Sequence, residues 1–190
     1  MQNQATKQKI VNGVDVEKLF ETIDAVKATP VISKFRFRAQ NKWLEGGHNR
    51  TTIKNFYGAC EDIEHAQVFT MDADEPAILL GMDRGANPVE HLLNALAACV
   101  TTAMVYHAAA KGIELEEVES RLEGDIDLRG FLGLSDEVRN GYEGIRMTFK
   151  IKADATDEQL QEIVALGPSF SPVYDSLTKG VPVSVTAERM

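Results

Sequence analysis

Apolar side chains recur at three- and four-residue steps across residues 12–27. Val16, Leu19, Phe20, Ile23 and Val26 fall on one stripe there and predict an amphipathic helix. Pro30 ends it, and Phe35, Phe37 and Ala39 then alternate with Lys34, Arg36 and Arg38, the period-two pattern of a half-buried strand. Gly46-Gly47 supplies a turn. Residues 51–56 and 66–71 read as further strands joined by the acidic connection Glu61-Asp62-Ile63-Glu64, and 76–81 is a short strand at best. From Pro88 to about Lys111 apolar residues occupy nearly every face, which predicts a helix buried all round. At about 1.5 Å per residue such a helix runs roughly 36 Å, long enough to be buried in part against another subunit. Gly112 is placed to terminate it. Residues 113–128 and 142–153 read as two strands flanking the loop Gly130-Phe131-Leu132-Gly133-Leu134. Thr156-Asp157-Glu158-Gln159 is a capping box opening a helix with Leu160, Ile163, Val164 and Leu166 inward, and Gly167-Pro168 is expected to stop it. A short helix over 172–177 and a last strand over 181–187 complete the pattern. Strands grouped around central helices make an α+β domain.

Composition narrows the class of protein. A chain of 190 residues, 44% hydrophobic, fits one domain, or one domain plus an extension, with a proper core. A net charge of -9 disfavours nucleic acid and anionic membranes as partners, because both select concentrated Lys and Arg. No apolar run approaches the roughly 20 residues that span a bilayer. The N-terminal residues are polar and lack the apolar core of a signal peptide, and two cysteines do not make a disulfide-stapled secreted fold. A cytoplasmic protein is the expectation. Internal repeats and low-complexity segments are absent from the sequence.

The stretch with most chemical content is Asn87-Pro88-Val89-Glu90-His91-Leu92-Leu93-Asn94-Ala95-Leu96-Ala97-Ala98-Cys99, a helix start that carries a thiol into an apolar helix interior. It resembles the signature helix of the OsmC/Ohr family (osmotically inducible protein C, organic hydroperoxide resistance). In that family the cysteine of such a helix attacks a hydroperoxide and a distant second cysteine resolves it. Ser171-Pro172-Val173, leading to Gly180-Val181-Pro182-Val183, is similar to the family's Cys-Pro-Val segment, with serine at the sulfur position. The resemblance covers residues 31–190 and leaves 1–30 as an N-terminal helical extension. It implies an OsmC-like fold of antiparallel sheets packed around long central helices, an intertwined homodimer with its site at the subunit interface, and thiol-dependent reduction of organic hydroperoxides. The divergence implies an alternative: a family member that has lost peroxidase chemistry and binds a small apolar ligand.

Each site residue has a chemical and a structural explanation. Attack on a peroxide needs thiolate, so Cys99 requires a nearby cation, and it lies too far inside its helix for the helix dipole to serve. Left to spacing alone, a cysteine in an Ala/Leu-rich helix is an inert small hydrophobe. The family's arginine lies in a Gly-Gly-Arg turn. Gly46-Gly47-His48-Asn49-Arg50 looks like that turn, with His48 at the arginine position and Arg50 two residues later. Either can serve, Arg84 is a weaker candidate, and Arg50 can equally be a solvated turn residue. The family's glutamate follows the Asn-Pro pair directly. Here that position is Val89 and the acid is Glu90, which also suits a capping box with Asn87. Nine residues separate Glu90 from Cys99, placing the two on opposite faces of one helix. Ser171 before proline is a favoured N-cap and cannot form the disulfide, so oxidised Cys99 needs Cys60 or an external thiol as reductant. Cys60 lies beside acids that raise a thiol pKa. The histidines His48, His65, His91 and His107 are scattered, so no metal site is expected, and no phosphate-cradling glycine motif suggests a nucleotide cofactor.

Overall fold

Every long helix opens on a side chain that satisfies its first free amides. Asp15 accepts from Lys18 N–H ahead of α1 (Val16–Ala28). Asn87 accepts from Val89 N–H ahead of α2 (Pro88–Ala110). Thr156 and Gln159 form the capping box of α4 (Asp157–Ser169), and Ser171 caps α5 (Pro172–Lys179). The structure, a computed structural model, describes residues 9–189. Its strands are β1 (Ile10–Val11), β2 (Val14–Asp15), β3 (Arg36–Phe37), β4 (Gln40–Glu45), β5 (His48–Gly58), β6 (Glu61–Ala73), β7 (Leu115–Asp125) and β8 (Gly144–Ala153), with a short helix α3 (Leu128–Phe131) between the last two. The strand pairs β3–β5, β4–β5, β5–β6 and β7–β8 are antiparallel.

The described residues form two units, one of Lys9 with Asp15–Leu92, the other of Ile10–Val14 with residues 93–189. The division falls inside α2, and α1 groups with the strands that follow it.

In the first unit β5 is central, with β3 and β4 on one side and β6 on the other. The Gly46-Gly47 turn joins β4 to β5 as expected, Gly46 taking the left-handed conformation that glycine tolerates. The next turn differs from expectation. Glu61 to Glu64 belong to β6, and the connection is Ala59-Cys60, both at positive φ, the backbone of a two-residue hairpin. Cys60 is therefore an exposed turn residue. Residues 77–79 form a 3-10 turn and not a strand. Phe35, Phe37, Phe56, His65 and Phe69 stack in a row with neighbouring ring centroids 5.2 to 6.1 Å apart, and Phe37 is 75% exposed.

In the second unit β7 and β8 form a two-stranded sheet whose inner face meets α2 and α4. Met104, Ala108 and Ile163 are the buried centre, with Ile113, Leu115, Val118, Phe149, Ile151 and Val164 around them. Asn12 reaches this sheet, donating to Ile113 O at 2.9 Å and accepting from Leu115 N–H at 2.8 Å. Residues 12–15 are therefore a hairpin and cap, and the first helix begins at Val16. Helix α4 runs through Gly167-Pro168 instead of stopping there. A Cβ at Gly167 would stand 2.9 Å from Val100 Cγ1, so glycine here permits close approach of α4 to α2. Two further expectations change. Helix α2 is not buried all round: Leu96, Val100, Met104, Ala108 and Ala109 are buried, but Asn94, Ala95, Ala98, Thr102 and Tyr106 are exposed along one stripe. By length and composition it is also long and apolar enough to cross a membrane, which the sequence reading did not anticipate, although here it carries a core. Residues 181–189 form no strand and are exposed throughout.

Candidate functional site

The sheet of the first unit gathers charged groups around one imidazole. His48 opens β5 immediately after the glycine turn and is only 9% exposed. Its Nδ1 lies 3.4 Å from an Arg84 guanidinium nitrogen, and its Nε2 lies 3.5 Å from Asp72 Oδ1 without a hydrogen bond. A guanidinium only donates, so Nδ1 must accept and the proton belongs on Nε2, toward the Asp72 carboxylate. Arg84 is also ion-paired to Glu45.

Asp72 stands opposite Arg50 in the β5–β6 register and holds it with both oxygens, at 2.7 and 2.9 Å. That fork lowers the Asp72 pKa and raises that of Arg50. Arg84 likewise lowers the Glu45 pKa. Arg50 is thus exposed yet charge-compensated, and it lines an open groove of about 660 Å³ with Gln40, Asn41, Lys42, Leu44 and Thr52. Asp74 is buried, and its carboxylate accepts from the backbone N–H groups of Glu75, Met82 and Arg84. Burial pushes its pKa up, but those amides and His48 outweigh it and the net direction is down. The result is a loop pinned from 74 to 84, with Ile78, Leu80 and Met82 exposed on it.

Glu90 takes its structural option: its carboxylate accepts from Asn87 N–H at 2.9 Å, closing the capping box. Asn87 in turn donates to Glu75. His91 Nε2 lies 3.1 Å from Asp72 backbone O, which makes that nitrogen the donor. In the second unit Cys99 is half-buried on α2 and its sulfur has no hydrogen-bond partner among the described residues. Ser171 is buried, and its Oγ accepts from Tyr174 N–H as the cap of α5. Just before it, the Phe170 ring meets His107 of α2 at 4.2 Å.

Four of the sequence candidates, His48, Arg50, Arg84 and Glu90, therefore lie in the first unit, and Cys99 and Ser171 in the second. Sequence reasoning missed Glu45, Asp72 and Asp74. Their signal was faint: Asp72-Ala73-Asp74 closes a strand, but only the register shows that Asp72 faces Arg50. Among the described residues no group of three His, Cys, Asp or Glu side chains is placed to hold a metal.

With this geometry in hand, the comparisons assign the class. The sequence profile of OsmC-like proteins matches residues 81–186, more than half of the chain and a span that includes α2, Cys99 and Ser171. The chain belongs to the OsmC-like family. A search of curated proteins finds no match. Among solved structures, the chain is similar to an OsmC-like protein from Mycoplasma pneumoniae. That protein is 18% identical with a TM-score of 0.59, covering 77% of this chain and 89% of that one. It is also similar to an organic hydroperoxide resistance protein from Legionella pneumophila, 18% identical, TM-score 0.53, covering 76% and 91%. A third likeness is to an osmotic-stress and detoxification response protein from Psychrobacter arcticus, 13% identical, TM-score 0.56, covering 75% and 88%. At these identities the structures establish the shared fold.

Proposed function

We propose that the chain is a thiol-dependent reductase of organic hydroperoxides that uses Cys99 as its nucleophile. The observation that carries this reading is a half-buried thiol, without a hydrogen-bond partner among the described residues, on the long helix that the family profile covers. Cys99 thiolate attacks the oxygen distal to the alkyl group and the O–O bond breaks. The proximal oxygen takes a proton and leaves as an alcohol, and Cys99 becomes a sulfenic acid. Ser171 cannot resolve it. An external thiol attacks the sulfenic sulfur, releasing water and leaving a mixed disulfide, and a second thiol equivalent displaces Cys99 and departs as the disulfide. In this reading a cation held beside Cys99 stabilises the thiolate. The protein works in the cytoplasm as a homodimer. Support for self-association comes from apolar side chains left open in the single chain, among them Phe35, Phe37 and Trp43 on the first unit's sheet, since exposed apolar patches of this kind mark interfaces.

A second reading is favoured by one observation, the commitment of Ser171 to a helix cap where a two-cysteine cycle needs sulfur. It makes the chain a binder of a small apolar ligand on an inherited scaffold. One experiment separates the two: brief exposure of reduced protein to cumene hydroperoxide with a sulfenic-acid trap, read by mass spectrometry. Trapping that disappears with Cys99→Ser and persists with Cys60→Ser supports the peroxidase. An unreactive Cys99 in folded protein ends that reading and leaves the binder.

A further inference from the structure

Two rungs of the first unit's sheet set hydrogen-bond donors side by side. Lys42 of β4 stands opposite Arg50 of β5, and two residues along, Gln40 stands opposite Thr52. Residues directly opposite share a face, as do residues two apart on one strand, so these four side chains occupy one surface. They also line the groove of about 660 Å³ that holds Arg50. At Gln40 and Thr52 the groove runs into a second hollow, lined further by Arg38, Lys54 and Asn55. Among the described residues no carboxylate lines either one.

The cations of this strip differ in what they already hold. Arg38 donates to Asp62 at 2.6 Å and to Asn55 at 3.2 Å. Arg50 is forked by Asp72, which takes two of its five N–H groups and leaves the others free to donate. Lys42 and Lys54 are exposed, and neither ammonium has an ion pair or side-chain hydrogen bond among the described residues. Lys42 also faces Arg50 directly, and like charges directly opposite destabilise a sheet. The whole chain carries a net charge of -9, yet this strip keeps two uncompensated cations. Lys54 lies four residues along β5 from Arg50, so the cationic ends stand about 13 Å apart at about 3.3 Å per residue. Between them are the neutral hydrogen-bonding groups of Gln40 and Thr52.

We propose that this strip binds a small elongated dicarboxylate, one end between Lys42 and Arg50, the other at Lys54, and its middle on Gln40 and Thr52. A carboxylate at the first end accepts from both cations and removes their mutual repulsion. The lining side chains come from strands and offer no helix N-terminus, the usual cradle of a phosphate, so carboxylate is the anion that fits. A monoanion of equal length fills one end only, and a short dianion does not reach both. The site lies wholly within the first unit and does not depend on the thiol chemistry proposed for Cys99.

The test is calorimetric titration of the full-length protein with suberate, succinate and octanoate. Wild type is compared with Lys42→Gln, Lys54→Gln and, on the second unit's sheet, Lys150→Gln. The expected result is one suberate per chain, bound about tenfold more tightly than succinate or octanoate, because each charged end adds its own hydrogen bonds. Lys42→Gln and Lys54→Gln should each weaken suberate about fivefold with melting unchanged, and Lys150→Gln should leave it as it is. Equal affinity for the three acids, no binding at millimolar concentration, or suberate affinity that survives either Lys42→Gln or Lys54→Gln overturns the proposal. Should a variant fail to fold, amide shifts of the wild type on adding suberate decide. Shifts confined to residues 38–42 and 50–55 support the site, and shifts that lie elsewhere or spread over the chain overturn it.

Discussion

Around His48 in the first unit the charged side chains already hold one another: Glu45 takes Arg84, Asp72 takes both arms of Arg50, and Asp74 takes three backbone amides. In the second unit Cys99 sits half-buried on an apolar helix with no hydrogen-bond partner among the described residues, and the other family landmark there, Ser171, spends its hydroxyl on a cap. The contrast separates two kinds of preparation. A network of satisfied charges is rigid and sets geometry, whereas a half-buried thiol without a bond is free to react but needs an imported charge to do so. The polar cluster is thus a poor site for chemistry of its own and a good one for holding a loop and a cation in place.

The strongest way to break the comparison is at the thiol. Cys99→Ser should remove all sulfenic-acid trapping after hydroperoxide treatment, with circular dichroism and melting unchanged because the residue carries no hydrogen bond. Trapping that persists would move the nucleophile to Cys60 and with it the functional weight to an exposed hairpin turn. Next in size is the packing beneath α2. Ile163 is fully buried against Met104 and Ala108, so Ile163→Ala should cost about 2 to 5 kcal/mol in denaturant unfolding. A loss below about 1 kcal/mol would mean that the site collapses around the vacancy.

How much of this was legible in the sequence depends on the range of the interactions involved. Helix starts were readable because a cap is decided within four residues: Asn87 with Glu90, Thr156 with Gln159, Ser171 before Pro172. The two strands expected over 113–128 and 142–153 correspond to β7 and β8. What escaped depends on distant partners. Gly167-Pro168 reads as a stop, but the close approach to Val100 carries α4 past it. The acidic run at Glu61 reads as a loop, yet it pairs across to Gly58, Tyr57, Phe56 and Asn55 as part of β6. In the candidate site, His48, Arg50 and Glu90 were visible as residue types and Asn87 was read as the capping partner of Glu90, but Asp72, the partner of Arg50, emerged only from the register. The strand expected over 181–187 does not form, and the short range of the sequence signal does not say what such a strand would pair with.

Two smaller effects sharpen the contrast. Ser171→Ala should cost about 0.5 to 2 kcal/mol by uncapping α5, while Ser171→Asp, which caps equally well, should restore most of it. If both variants lose stability alike in thermal unfolding, the buried hydroxyl does more than cap.

The smallest effect is on acid stability in the loop between β7 and β8. Asp127 caps α3 and grips Arg129, and these bonds from Arg129 lower its carboxyl from the ordinary 3.8 to about 2. A carboxyl held lower in the folded state than in the unfolded chain stabilises the fold fully above the ordinary value, and that contribution is lost as pH falls through the folded one. Wild type should therefore exceed Asp127→Asn in stability by a constant margin down to about pH 4. The margin should then shrink toward about pH 2, as read from urea unfolding across that range. The ion pair is largely exposed, with the Arg129 side chain at 64%, so the margin is small and high salt should narrow it further. A margin that persists at low pH would overturn the charge account, because there Asp127 is protonated and asparagine keeps the cap acceptor.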